Sequence, residues 1–220
     1  MKRRAALLMV LLTLALAACA NHPAQPSGTV AESEAANAPR DVYVGMGVSG
    51  IAADEVAPYM AELRAEMAQQ LSPELKQQEL SLAALADGSL LLRVTGDVSF
   101  EPDSGQLQVS ALDLYSRIAA VLRQYGHCVI HVVGHEDASV SEPAAQSLSE
   151  RHAASLAAYL GRQGVSAARL RYEGRGAREP VASNQTAEGQ RQNRGVDLVI
   201  KPVVTGREPQ AWMPPPYLGA

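Results

Sequence analysis

Cysteine is almost absent from this sequence: among 220 residues only Cys19 and Cys128 occur, so no disulfide framework can staple the fold. Aromatics are scarce at 4%, with Phe100 and Trp212 the single phenylalanine and tryptophan. A core must therefore come from aliphatic side chains, and a hydrophobic content of 47%, rich in alanine and leucine, suits a small α/β domain. There is no excess of basic charge. The formal net charge is -4, which leaves no electrostatic footprint for nucleic acid. No nucleophile and base with an orienting third group can be assembled from the pattern, so the chain does not read as an enzyme. His127, His131 and His135 recur at every fourth position. On a strand such neighbours stand about 13 Å apart, too far to share one metal ion. Gly45, Gly47 and Gly50 have dinucleotide-loop spacing. Asp54 and Glu55 come too early for the ribose acid, however, and no regular βαβ unit follows. No cofactor is implied.

The N-terminus reads as a targeting segment. Lys2, Arg3 and Arg4 precede an apolar run from Ala5 to Ala15, too short to span a bilayer comfortably. Leu16-Ala17-Ala18-Cys19 resembles the bacterial lipobox. The resemblance implies a lipoprotein signal peptide over 1–18, cleavage before Cys19, and lipidation of its thiol and new amine, palmitate included. Several acyl chains make such anchoring stable, at about 0.8 kcal/mol per buried methylene. Ala20 is not the aspartate that often marks inner-membrane retention, so the expected address is the periplasmic face of the cell outer membrane. Residues 19–52 then hold the lipidated cysteine and a flexible linker. Asn21 to Arg40 reach at most roughly 70 Å when stretched.

Residues 53–96 read as a helix and strand lead-in. Val56, Met60, Leu63, Met67 and Leu71 fall at helical spacing. Leu80–Leu85 and Leu90–Val94 suit a hairpin around Asp87-Gly88. Asp97 to Phe100 reads as a strand end. Ala111, Leu114, Ile118, Val121, Leu122 and Tyr125 form a helix stripe that Gly126 stops. Strands are expected at Cys128–Val133, Leu170–Glu173 and Val196–Ile200, with a long loop over 174–192. Cys128 alternates with Ile130 and Val132, which makes it a buried, inert thiol. The tail, 203–220, is Pro-rich. Its Trp212 is exposed unless it docks on the domain or a partner.

The most informative stretch runs from Cys128 to Leu160. An apolar strand ends in Gly134-His135-Glu136-Asp137, and a loop follows to Ala145. Ser147 and Glu150 have capping-box spacing and predict the helix start. Leu148, His152, Leu156 and Leu160 form one stripe, with a titratable side chain on an apolar face. The closing run is Asn193-Arg194-Gly195-Val196-Asp197. These ordered motifs resemble the OmpA-like peptidoglycan-binding domain of outer-membrane lipoproteins. That family reads Gly-His-Thr-Asp, Asn-x-x-Leu-Ser-x-x-Arg-Ala and Asn-Arg-Arg-Val-Glu. The resemblance covers roughly 98–201. It implies an α+β domain over 97–202, a βαβαβ-β mixed sheet with helices on one face.

What the resemblance implies about function is non-covalent binding of peptidoglycan through the diaminopimelate of its stem, tethering the envelope layers. The distal centre of that amino acid carries an ammonium and a carboxylate. It calls for an anion and a forked cation. By position, Asp137 is the anion, with Asn193 and Arg194 retained. His152 stands where the family has the helix arginine, Ala145 for its asparagine, Glu136 for its threonine and Gly195 for its second closing arginine. Arg151 is one helical step, about 100°, away from the required face. If His152 serves as the cation, it does so as imidazolium, and binding should strengthen as pH falls from about 8 to about 6. The alternative is an OmpA-like scaffold whose site has degenerated and which acts through an envelope protein partner in an envelope or secretion assembly, with the Pro-rich tail as the contact.

Overall fold

A computed structural model describes residues 47–216. Cys19, the signal-peptide segment 1–18, the linker up to residue 46 and residues 217–220 lie outside the described residues.

Helix α1 (Val56–Gln70) turns Met60, Leu63 and Met67 into the core, as its spacing predicts. A short α2 (Ser72–Gln77) carries a proline in its first turn and ends on Gln78, whose φ of 59° breaks the helix. The hairpin β1 (Leu80–Ala84) and β2 (Leu90–Thr95) closes around Gly88, with φ +83°. A 3-10 turn at Gly96–Val98 follows, so Asp97 to Phe100 is a turn leaving β2 rather than a strand end. Next come α3 (Leu112–Gln124), β3 (Cys128–His135), α4 (Glu142–Arg162), β4 (Leu170–Gly174), α5 (Ala187–Asn193), β5 (Gly195–Pro202) and α6 (Pro209–Trp212).

The sheet is five-stranded and mixed, in the order β1-β2-β5-β3-β4. β5 is antiparallel to β2 and β3, while β4 is parallel to β3. Alternation puts Leu90, Leu92, Val94, Val196, Leu198, Ile200, Ile130 and Val132 on one face. They share one buried cluster with Met60, Leu63 and Met67 of α1, Leu114, Ile118 and Leu122 of α3, and Leu156 and Leu160 of α4. Each such side chain contributes about 1.5–3 kcal/mol by leaving water. The lead-in is therefore part of the same core as the rest of the described chain. Cys128 belongs to that core, and burial pushes its thiol up.

Two further local expectations need correction. Helix α4 starts at Glu142, not at Ser147: Ser141 is the N-cap residue and a proline lies in the first turn, where its missing N–H costs nothing. Ser147 is interior and accepts a hydrogen bond from Arg151. The stretch 174–192 is not all loop, because Thr186 accepts from the Gly189 N–H and caps α5.

The opposite sheet face holds a buried charge network and the tail. Arg93 donates twice to Asp197, at 2.7 and 2.6 Å, and His135 Nε2 lies 3.1 Å from the same carboxylate. Arg175 pairs with Glu173 and Glu179 and donates to the Pro215 and Pro216 carbonyls. His131 donates to the Ala211 carbonyl at 2.7 Å. Ala211 and Trp212 rest on Val48, Val129 and Val203. The tail thus docks on its own domain. Ile51 bridges Val204, and a side chain at Gly50 would strike the Thr205 backbone, so this stretch packs against residues 203–205.

Candidate functional site

The site lies where β3 ends, and glycines set its depth. A Cβ at Gly134 would come within 2.0 Å of the Ser149 carbonyl oxygen, and one at Gly174 within 2.4 Å of the Glu150 nitrogen. The backbone of α4 therefore lies directly on β3 and β4. Ser149 Oγ accepts from the Gly176 N–H, and the Glu136 N–H donates to the Gly176 carbonyl. These contacts fix the strand end that carries Glu136 and Asp137 beside the α4 face that carries His152.

The 96–108 segment forms the other wall. Gln108 donates to the Phe100 and Asp97 carbonyls. Asp103 takes a left-handed φ of 53° in the turn that presents the Ser104 carbonyl. The Gly96 N–H donates to the Arg194 carbonyl and brings Asp97 beside the start of β5. The cleft between these walls has a volume of about 350 Å³ and is lined by Asp97, Glu101, Asp103, Glu136, Asp137 and Arg194, with Phe100 and His152 at its side.

Asp137 is 1% exposed. Its Oδ1 accepts from the Ser139 N–H at 2.6 Å and its Oδ2 from Arg194 Nη1 at 2.5 Å. Burial alone would raise its carboxyl. The Ser139 hydrogen bonds and the Arg194 guanidinium outweigh burial and hold it below the usual carboxylate range. Arg194 also donates through Nη2 to Asp97 at 3.0 Å, so one guanidinium bridges two carboxylates.

His152 stacks on Phe100, with ring centroids 4.0 Å apart. Its Nε2 lies 2.9 Å from the Ser104 carbonyl, which can only accept, so Nε2 carries the proton there. Its Nδ1 faces Glu136 Oε1 at 3.1 Å. Both atoms are buried and neither has a well-aligned hydrogen-bond partner, so the two meet as a close, misaligned polar contact. Neither imidazole nitrogen is turned to a ligand. In this arrangement both ring nitrogens of His152, the expected cation for a ligand carboxylate, face acceptors of the protein itself. His152 is also deep within α4, beyond the reach of the helix N-terminus.

The expected residues therefore divide. Asp137, His152 and Arg194 meet in the cleft, but Asn193 does not join them. Its amide oxygen accepts from the Val181 and Ala182 N–H groups, and its nitrogen donates to the Ala182 carbonyl and Asn184 Oδ1. That exhausts the amide, so Asn193 holds the 181–184 loop instead of facing a ligand. Arg151 lines no part of the cleft. Gly195 replaces an arginine of the family pattern, and a Cβ there would sit 2.3 Å from the Val94 carbonyl oxygen. Asp97 was missed from sequence: it lies 97 residues from its partner Arg194 and belongs to no local motif. Among the described residues no group of three or more His, Cys, Asp or Glu is arranged to hold a metal ion.

Comparison with known proteins fits this geometry. Residues 99–194 match the OmpA family. The chain is 34% identical over 115 residues to the probable lipoprotein YiaD of Escherichia coli, covering 52% of each chain. It is 38% identical over 104 residues to outer membrane protein A of Bordetella avium, covering 47% of this chain and 54% of that one. The chain thus spans about half the length of these relatives. Among solved structures it is similar to the cell wall anchor of the T6SS from Pseudomonas aeruginosa. The TM-score is 0.57 at 29% identity, covering 63% of this chain and 99% of that one. Residues 99–194 of this chain are an OmpA family domain.

Proposed function

We propose that this chain is an outer-membrane lipoprotein, anchored through Cys19, whose periplasmic OmpA-like domain binds the diaminopimelate stem of peptidoglycan non-covalently and tethers the envelope layers. The observation that carries this reading is Asp137, held ionised in the cleft beside Arg194. It offers a fixed anion to the stem ammonium, and each carboxylate oxygen has a lone pair left for it. The likeness to a cell wall anchor and to proteins named as a lipoprotein and an outer membrane protein supports the same reading. Co-sedimentation of the purified full-length chain with peptidoglycan sacculi, wild type against Asp137→Ala, tests it.

The second reading, a scaffold acting through protein partners in an envelope assembly, is favoured by one observation: His152 and Asn193 are committed to the protein interior. The tail gives it less support, because it is docked on its own domain. Unchanged recovery of envelope partners after deletion of residues 211–220 would count against that reading.

A further inference from the structure

We propose that this cleft prefers a primary ammonium whose neighbouring carboxyl group is neutral, an amidated diaminopimelate or a lysine side chain, over the free zwitterion. The inference rests on the peptidoglycan reading and names the stem chemistry it selects.

The argument is one of unmatched charge. A zwitterionic centre needs a cation within reach of its carboxylate. Among the residues lining the cleft Arg194 is the only arginine or lysine, and two of its five N–H groups already bond carboxylates, Asp137 and Asp97. That trio carries one net negative charge before any ligand arrives. Glu101 and Asp103 at the opening add more. His152, at the position of the family's fork, has one nitrogen on the Ser104 carbonyl and the other on Glu136. Both ring nitrogens thus face acceptors of the protein itself.

An arriving ammonium therefore meets a surplus of anion at Asp137, while an arriving carboxylate finds one guanidinium, already shared, set among carboxylates. Glu136 sharpens the contrast. It lines the cleft and adds a further carboxylate to that wall. A carboxamide brings two N–H donors to that wall where a carboxylate brings only lone pairs. Removing the ligand's carboxylate charge thus removes a repulsion and adds a donor.

The test is calorimetric titration of the full-length chain with three stem tripeptides. One ends in free meso-diaminopimelate, one in the same residue with its distal carboxyl as carboxamide, and one in lysine. The wild type should bind the carboxamide and lysine forms about tenfold or more tighter than the free form. Glu136→Thr combined with His152→Arg restores a fork free to face the ligand and should reverse that order. Glu136→Gln keeps nearly the same volume and leaves Asp137, Asp97 and Arg194 in place, so it should preserve the order, which covers the case in which the double variant fails to fold. Free diaminopimelate bound as tightly as the amide by the wild type, or an order reversed by Glu136→Gln, would overturn the proposal and leave peptidoglycan binding standing. No binding of any tripeptide at millimolar concentration would overturn both.

Discussion

Glu136 Oε1 and His152 Nδ1 lie 3.1 Å apart in a buried contact. These residues stand where the family pattern has a threonine and an arginine. The two departures touch, so they act as one change. Where the family pattern carries an arginine, this chain has a histidine that faces inward to a glutamate.

A double-mutant cycle measures this directly. Glu136→Gln and His152→Gln should each lower stability in chemical denaturation, and their effects should be non-additive by about 0.5–3 kcal/mol, the range for residues in direct contact. His152→Arg alone should leave sacculus binding nearly unchanged, because Glu136 takes up the new guanidinium. Additive stabilities would show that the two groups do not interact.

Leu63 is fully buried against the sheet from α1. Leu63→Ala should cost about 2–5 kcal/mol, in a single transition that carries the whole described domain. A separate early transition, with the OmpA family region melting as in the wild type, would mean that α1 is an independent appendage.

His131 lies under the tail, its Nε2 on the Ala211 carbonyl. Burial pushes its imidazole below the ordinary value, with Lys201 and Arg171 adding to the effect, while the Ala211 bond and Glu173 oppose it. A histidine depressed in the folded state contributes stability that is whole above its unfolded pKa, about 6.5, and is lost as pH falls through the folded value. Stability should therefore decline as pH drops below about 6.5, and His131→Gln should flatten that part of the profile. A wild-type profile flat from about pH 7 to 5 would contradict this.

Arg169 is 5% exposed and donates to the carbonyls of Leu122, Tyr125 and Cys128, closing the C-terminal end of α3. Arg169→Leu removes these donors, at about 1–3 kcal/mol for each acceptor left unsatisfied where water cannot enter, while the Tyr125 carbonyl keeps the Cys128 thiol as a donor. A loss below about 1 kcal/mol in denaturant melts would show that water replaces the guanidinium.

Periodicity made much of the fold legible. The stripe of α1, the alternation at Cys128–Val133 and the hairpin around Asp87-Gly88 all express local rules. The start of α4 was misread because Ser147 and Glu150 mimic a capping box, while the Ser141-Glu142-Pro143 start has no side-chain cap bond. α5 was missed because its seven residues, Ala187 to Asn193, include no large apolar side chain and so carry no apolar stripe. At the site, the motif gave Asp137 and Arg194 together. Asp97 pairs across 97 residues and Asn193 turns inward to a loop 9 to 12 residues before it. Such pairings depend on how β2, β3 and β5 stack, which no local pattern encodes.

The most direct measurement of the central claim is sacculus co-sedimentation by the full-length chain, wild type against Asp137→Ala and Asp137→Asn, at fixed salt. Wild type should pellet with diaminopimelate-type sacculi. Both variants should stay in the supernatant while remaining folded by circular dichroism. Equal pelleting of all three would contradict the claim that Asp137 anchors this domain to the cell wall.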